Sequence, residues 1–230
     1  MNNPFVMSLS RLPWTRRLLL LVTALALICI ISIGDALKRS QSITNHEMKI
    51  LEQFQKAPHL LLAISTGFGQ AFSIAGTALI VSLSLLYLVW TQRGWVQPLR
   101  GAIIAVTPMM VTLVVKVIVN RSRPGTSLGN LENDPSFPSG HVAASISCVA
   151  LLFLIMQLRH VRESSRGNRY FLRLAVSVIL MLIPVMTAVS RLILGVHYPS
   201  DVVASLILNA LLAASMGVIT QQEIMAGPLH

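Results

Sequence analysis

Residues 18–34 read LLLLVTALALICIISIG, a run of 17 residues without a charged side chain. A helix needs about 20 mostly apolar residues to cross the hydrocarbon core of a bilayer. Comparable stretches recur near 71–91, 100–119, 141–158, 172–190 and 200–220. Hydrophobic residues fill 54% of the 230 positions and charged residues only 11%, which excludes disordered, collagen-like and coiled-coil chains. The sequence therefore predicts an all-α, polytopic membrane protein with six transmembrane helices.

A polar stretch separates the first two predicted spans. Residues 44–47 (TNHE) have the pattern of a capping box with Thr44 as the N-cap, and Met48, Leu51 and Phe54 follow at three-residue intervals. This pattern predicts a short amphipathic helix that lies on the membrane surface. Its simplest role is that of a structural collar over the bundle.

The uncharged run 60–90 is too long for one span, so a break is expected within it. The glycine-containing stretch 67–70 (GFGQ) is the predicted break. Pro108 and Pro184 lie inside two other spans, where neighbouring helices can accommodate a kink. No repeat or change of composition divides the chain, so residues 1–230 are expected to form a single domain.

The distribution of basic residues predicts the orientation in the membrane. With the N-terminus inside, ten basic residues are cytoplasmic, namely Arg11, Arg16, Arg17, Arg93, Arg100, Arg159, Arg162, Arg166, Arg169 and Arg173. Eight are on the outer side, namely Lys38, Arg39, Lys49, Lys56, Lys116, Arg121, Arg123 and Arg191. At least three of the outer residues have a chemical explanation, given below. Without those three, ten basic residues on the inner side compare with five on the outer side, which favours cytoplasmic N and C termini. The net charge of +10 is attributed to this asymmetry and not to nucleic-acid binding.

The first apolar run has an alternative interpretation as a signal peptide, because it follows Arg16 and Arg17. The segment after it, 33–37 (IGDAL), lacks a clear cleavage site of small residues. The rest of the chain is also predicted to lie in the membrane. We therefore expect the first helix to be retained.

Three short blocks bring polar residues to the outer ends of the last four spans. They are Lys116 with Arg123-Pro124, Pro138-Ser139-Gly140-His141, and Ser190-Arg191 with His197 and Asp201. A single lysine or arginine at a span end is commonly a snorkelling side chain. Three cations on one face, however, repel one another unless an anion lies between them. Because guanidinium and ammonium groups both bind phosphate oxygens, the blocks predict a site for a dianion of phosphate size.

The second block is predicted to open a transmembrane helix. Ser139 suits the N-cap position, and Gly140 allows a ligand to approach the backbone closely. His141 could donate a proton as a general acid. The alternative is an ordinary N-cap followed by an interfacial histidine.

The third block is predicted to start the last helix near Tyr198, because Pro199 favours the first helical position. His197 then lies just outside the helix and Asp201 lies in its first turn. The carboxylate can accept a hydrogen bond from one ring nitrogen and leave the other as a nucleophile. A structural His–Asp hydrogen bond is the alternative.

Two further expectations concern charges near these blocks. Arg121 is expected to be a solvated loop residue. The alternative is a cation that supports the site from behind the residues that contact the ligand, or one at the rim of the site. The blocks contain no H-x-x-x-H pattern, no cysteine ligand and only one carboxylate. A metal site is therefore not predicted, and neither is a cofactor.

The three blocks match the pattern K-x6-RP, PSGH and SR-x5-H-x3-D at all eleven specified positions. In this the chain resembles the type 2 phosphatidic acid phosphatase (PAP2) superfamily. That superfamily includes lipid phosphate phosphatases, bacterial phosphatidylglycerophosphate and undecaprenyl-diphosphate phosphatases, vanadium haloperoxidases and soluble acid phosphatases. The motifs cover residues 116–201, and the six-span layout extends the resemblance to the whole chain.

The resemblance implies a role for each motif residue. His197 attacks phosphorus and is oriented by Asp201, while His141 protonates the leaving oxygen. The phosphoryl oxygens are held by Lys116, Arg123, Ser139, Gly140 and Arg191. The implied protein is a metal-independent hydrolase in a bacterial inner membrane, with its site on the periplasmic side. Its substrate is a lipid phosphate or diphosphate, and no obligate protein partner is expected.

Other functions are compatible with parts of this pattern. A phosphotransferase passes the phosphoryl group from the same histidine to an acceptor other than water. A haloperoxidase is disfavoured because it needs no lipid-embedded bundle. A transporter of anionic lipids is expected to carry charges near the midplane, whereas these blocks lie at span ends. The residues of the blocks do not choose among phosphatidylglycerophosphate, phosphatidic acid and undecaprenyl diphosphate.

Overall fold

A computed structural model describes residues 13–92, 94–126, 128, 133–162 and 170–225. In these ranges the chain forms eight helices: α1 (Trp14–Arg39), α2 (Gln41–Phe54), α3 (His59–Ala71), α4 (Ile74–Thr91), α5 (Val96–Val119), α6 (Gly140–Arg162), α7 (Tyr170–Ile193) and α8 (Pro199–Met225). Six of them, α1 and α4 to α8, are long and apolar enough to cross a membrane. The prediction of an all-α protein with six spans is confirmed. Helices α5 and α7 continue through Pro108 and Pro184, as expected.

The amphipathic helix α2 is present, but it begins earlier than predicted. Its N-cap is Ser40, whose hydroxyl accepts a hydrogen bond from the backbone N–H of Ile43 at 3.4 Å. Thr44 lies inside the helix, so the capping box at residues 44–47 is wrong. The Glu47 side chain does not bond the backbone N–H at the start of α2, as a capping box requires, but is buried at the interface with the bundle. The helix therefore packs onto the bundle with a charged side chain at the interface.

The predicted break at residues 67–70 is also wrong. These residues lie within α3, and the chain turns at Phe72 and Ser73. Ser73 is the N-cap of α4, and its hydroxyl accepts a hydrogen bond from the N–H of Gly76 at 3.2 Å. The run 60–90 therefore supplies a short helix and a span, as two separate elements.

The buried core is centred on α6. Of its membrane-crossing window, 56% is buried inside the protein, compared with 17% for α1, α4 and α7. Helix α6 packs against α4, α5, α7 and α8. The C-terminal ends of α5 and α7 therefore meet the N-terminal ends of α6 and α8 at one end of the bundle. We call this end the site end. The short helices also pack there, α2 against α7 and α8, and α3 against α7.

Candidate active site

A cavity of about 1170 Å³ opens at the site end. Its lining includes four of the predicted site residues, Lys116, Gly140, His141 and Arg191, which come from three different helices. Below them the walls are formed by α3, α4 and α5 and include Ile74, Thr77, Met109, Met110 and Leu113. The cavity therefore joins a cationic end to an apolar region.

Lys116 lies in the last turn of α5 and is almost fully buried, with 4% of its surface exposed. The helix ends at Val119, and the next residue, Asn120, adopts the left-handed conformation (φ 48°) typical of a helix C-terminus. The Lys116 ammonium donates to the carbonyl oxygen of Pro135 at 2.6 Å and to the carboxylate of Asp134. A buried cation is thus held by the loop that precedes α6.

Arg123 connects this loop to the linker between α7 and α8. Its Nη1 donates to the carbonyl oxygen of Val196 at 2.8 Å and lies 3.2 Å from Nε2 of His197. Its Nη2 donates to the Asp134 carboxylate at 2.6 Å. The guanidinium therefore lies between the predicted nucleophile and an acidic side chain.

Asp134 is a member of the site that the sequence analysis missed. Its carboxylate bridges Lys116 and Arg123, although half of its side-chain surface is exposed. Burial raises the pKa of this carboxyl, but hydrogen bonds and the charges of Lys116 and Arg123 outweigh burial and bring the pKa down to about 2. A carboxylate thus lies between two of the cations that were predicted to hold a phosphate dianion.

His197 and Asp201 lie where the third block predicts them. Helix α8 begins at Pro199, the predicted first helical position, and Asp201 is in its first turn. The distance from His197 Nδ1 to Asp201 Oδ2 is 3.5 Å, and both side chains are fully buried. The same Oδ2 accepts a hydrogen bond from the N–H of Tyr198 at 2.9 Å. The separation is long for a hydrogen bond, as is common for catalytic pairs before a substrate binds.

Arg121 is not the solvated loop residue that was expected. Only 3% of its surface is exposed, and its guanidinium pairs with Asp201 at 2.8 Å and with Glu47 at 2.6 Å. Its guanidinium carbon also lies 4.1 Å from the centroid of the Tyr198 ring. Its guanidinium is thus tied to Asp201, the residue expected to orient His197.

Ser139 directly precedes the first residue of α6, Gly140, in agreement with the predicted N-cap position. Its carbonyl oxygen accepts a hydrogen bond from the Ser205 hydroxyl at 2.7 Å, and its own N–H donates to the carbonyl of Asp201 at 3.2 Å. Its hydroxyl is fully buried and has no hydrogen-bond partner among the described residues. An unsatisfied buried hydroxyl is costly, which is consistent with a site that is completed by a ligand.

Arg191 reaches the cavity because a glycine in α3 makes room for it. A Cβ atom at Gly69 would overlap the Arg191 guanidinium, whereas one at Gly67 would have no neighbour within 4 Å. The guanidinium also donates to the carbonyl of Ser65 at 3.4 Å. The two glycines interpreted as a helix break thus differ in role, and Gly69 permits close packing of a charged side chain.

All eight predicted site residues lie at the site end: Lys116, Arg123, Ser139, Gly140, His141, Arg191, His197 and Asp201. The imidazole of His141 interacts with the charges of Arg191, Arg123, Lys116 and Asp134. Within the described ranges, no three His, Cys, Asp or Glu side chains are close enough to hold a metal ion. The arrangement joins a cation cluster to a His–Asp pair and a second histidine.

Residues 99–224 match the sequence pattern of the PAP2 superfamily. The chain belongs to the PAP2 superfamily. A decaprenylphosphoryl-5-phosphoribose phosphatase of Mycobacterium tuberculosis is 32% identical over 143 residues, which is 60% of this chain and 68% of that protein. The family resemblance that the three sequence blocks suggest is therefore confirmed.

Two solved structures resemble the fold. A transmembrane phosphatidylglycerolphosphate phosphatase from Bacillus subtilis superimposes with a TM-score of 0.70 at 19% identity, covering 90% of this chain and 98% of that one. LpxE from Aquifex aeolicus gives a TM-score of 0.50 at 19% identity, covering 76% and 94%. At these identities the likeness supports the fold alone. The chain has the fold of a PAP2 membrane phosphatase.

Proposed function

We propose that this chain is a lipid phosphatase that hydrolyses a phosphomonoester or diphosphate headgroup through a phosphohistidine on His197. The observation that carries the proposal is the convergence at the site end of Lys116, Arg123 and Arg191 with the His197–Asp201 pair. Buried cations from separate elements are costly unless an anion joins them. A lipid phosphate supplies that anion and brings an apolar tail into the membrane.

The phosphoryl group would be bound by replacing Asp134 on the cations. Its oxygens would accept hydrogen bonds from Lys116 and Arg123, which now contact the Asp134 carboxylate. The unsatisfied hydroxyl of Ser139 and the N-terminus of α6 at Gly140 are further donors. Such preorganised donors stabilise charge in the transition state, and the loss of one typically costs about 10²–10³ in rate.

In the first half-reaction, His197 Nε2 would form a bond to phosphorus as the bond from phosphorus to the leaving oxygen breaks. His141 would donate its proton to that oxygen, so a lipid alcohol leaves neutral and a lipid phosphate leaves with the departing oxygen protonated. Asp201 would accept the Nδ1–H hydrogen bond of His197 and stabilise the positive ring. The 3.5 Å separation of these two groups would shorten as charge develops.

In the second half-reaction, water would attack the phosphorus of the phosphohistidine. His141, now unprotonated, would accept the proton of that water, and the bond from phosphorus to Nε2 would break. Inorganic phosphate then leaves, and both histidines return to their starting states. No redox step is involved, and the chain's own side chains supply every proton transfer.

The shape of the cavity supports a lipid as the substrate. Three of its apolar lining residues, Ile74, Met110 and Leu113, are half or more exposed. The cavity therefore reaches the surface that a bilayer would cover. A headgroup bound at Lys116 could keep its tail in the lipid, and the basic residues predict that this end faces the periplasm of an inner membrane.

A purified sample in detergent micelles tests the proposal by phosphate release with a chelator present. We expect turnover in chelator and a loss of at least about 10⁴ in His197→Ala, because the nucleophile has no replacement. Activity that requires an added divalent metal, or a His197→Ala variant near the rate of the unaltered protein, would refute it.

The substrate class is tested by comparing kcat/KM across a panel of lipid phosphates. The panel should contain phosphatidylglycerophosphate, phosphatidic acid, undecaprenyl diphosphate and a polyprenyl-linked sugar phosphate. The last is included because the mycobacterial relative is named as a decaprenylphosphoryl-5-phosphoribose phosphatase. Phosphate released without an added acceptor, in a one-to-one ratio with the lipid product, identifies a hydrolase and excludes a phosphotransferase.

A further inference from the structure

A chain of three buried charges joins the interfacial helix α2 to the His197–Asp201 pair. Glu47 of α2 pairs with Arg121 at 2.6 Å, and Arg121 pairs with Asp201 at 2.8 Å. The exposed fractions of the three side chains are 7%, 3% and 0%. No step of the proposed reaction uses Glu47 or Arg121.

The contacts of this chain fix the Asp201 carboxylate at both oxygens. Oδ1 accepts from Arg121 Nη1, and Oδ2 accepts from the N–H of Tyr198 while facing His197. Glu47 fixes the opposite side of the same guanidinium, and its second oxygen accepts from the N–H of Ser200 at 2.8 Å. The Asp201 carboxylate, which orients the nucleophile, is thereby held in a single orientation.

The charges also act on one another. A lone arginine beside Asp201 would partly neutralise the carboxylate, which has to stabilise the imidazolium form of His197. Glu47 offsets that arginine, because it presents a negative charge to the other side of the guanidinium. With both carboxylates ionised, the buried set of Glu47, Arg121 and Asp201 carries a net charge of −1 beside the imidazole.

We propose that Glu47 and Arg121 are positioning residues for phosphoryl transfer, and that α2 thereby sets the orientation and basicity of His197 through Asp201. This inference rests on the proposed function. It assigns to the interfacial helix a part in catalysis and not only in covering the bundle.

The charged group nearest the outer nitrogen of the His197 imidazole is Arg123, in the loop before α6. The other titratable or charged groups at the site end are Lys116 on α5, Asp134 in the loop before α6, His141 on α6, Arg191 on α7 and Tyr198, whose ring contacts Arg121. All of them are unchanged in the variants described next. Differences between those variants therefore report on Glu47 and Arg121 alone.

The test is the pH profile of kcat/KM for Glu47→Gln, Arg121→Gln and the double variant. The rate rises with pH as His197 loses its proton, so the acidic midpoint reports the charge around the imidazole. Glu47→Gln removes a negative charge and should move this midpoint down by about 0.5–1 pH unit. Arg121→Gln removes a positive charge and should move it up, and the double variant should return near the original midpoint.

Each single variant should also lower kcat about 10-fold or more with little change in KM, because the phosphate-binding cations stay in place. Glu52→Gln is the matched control, since Glu52 lies on the same helix but is exposed. Its profile should superimpose on that of the unaltered protein.

The outcomes separate the two proposals. If the unaltered protein releases phosphate and Glu47→Gln leaves the acidic midpoint and kcat unchanged, the positioning role is wrong while the phosphatase proposal stands. If the unaltered protein hydrolyses none of the lipid panel, the proposed function itself fails. Arg121→Gln leaves two buried carboxylates without their partner, so it could fail to fold; Glu47→Gln then decides alone. A variant that lost only thermal stability would assign Glu47 a purely structural role and overturn the inference.

Discussion

Asp134 competes with substrate for Lys116 and Arg123, so its removal should strengthen phosphate binding. Its carboxylate makes an ion pair with each cation, at 2.6 Å in the case of Arg123. A phosphate that binds the same cations has to displace both contacts. The variant Asp134→Asn keeps the size of the side chain and removes its charge.

The size of the expected gain in phosphate affinity follows from how exposed the Asp134 carboxylate is. Half of its surface is open to solvent, so each pair is assigned the range of exposed ion pairs, about 0.2–1 kcal/mol. Two pairs amount to about 0.4–2 kcal/mol, which corresponds to about 2- to 30-fold tighter binding. Because the pKa of Asp134 is about 2, the carboxylate is ionised at every pH above about 4, and the effect should be constant from pH 5 to 8.

The assay is the inhibition constant of inorganic phosphate, measured in competition with a lipid substrate. Asp35→Asn is the matched control, because Asp35 is 48% exposed and pairs with Arg39 at 2.8 Å in the same kind of contact, outside the site. We expect a lower inhibition constant for Asp134→Asn and no change for Asp35→Asn. An unchanged or higher constant for Asp134→Asn would mean that the carboxylate supports the cations and does not compete with phosphate.

Further predictions concern single side chains of the site. His141→Gln should lower kcat by about 10²–10⁴, and less for a phosphoester with a good leaving group, which needs no general acid. Gly69→Ala should lower kcat/KM for phosphate release, because the added methyl group would displace the Arg191 guanidinium, whereas Gly67→Ala should have no effect. Equal effects of the two substitutions would contradict the close packing of Arg191 on Gly69. Asp134→Asn should also lower the free energy of unfolding, because it removes the two ion pairs that hold the pKa of Asp134 down. These pairs stabilise the unaltered protein fully above pH 3.8 and lose their effect as the pH falls through 2. Thermal unfolding of both proteins across this range measures that difference, and a difference that grew on acidification would contradict it.

The six spans could be predicted because a bilayer demands long apolar helices whatever their packing. Local signals inside the connecting region were less informative. Residues 44–47 match a capping box, but Ser40 is an equally good N-cap and lies earlier, so the helix begins there. Gly67 and Gly69 suggest a break, yet glycine is tolerated in helices that pack closely, and here one of them accommodates a guanidinium.

The eight motif residues could be assembled from sequence because each lies at a span end and the spans fix which ends meet. A supporting role for Arg121 is one of two interpretations of the sequence, but its partner Glu47 and the contribution of Asp134 could not be predicted. Glu47 lies 74 residues from its partner Arg121, and no local pattern indicates that pairing. Asp134 lies in a loop between two motifs, and its role appears only when Lys116 and Arg123 converge on it.

The central claim is that the phosphoryl group passes through the imidazole of His197. Rapid quenching of the purified protein with a lipid carrying a labelled phosphoryl group, followed by peptide mapping, tests it most directly. The account predicts up to one acid-labile, base-stable label per chain on the peptide that contains His197, and no label in His197→Ala. Turnover without any labelled intermediate under conditions that slow the second step, or a label on another residue, would contradict it.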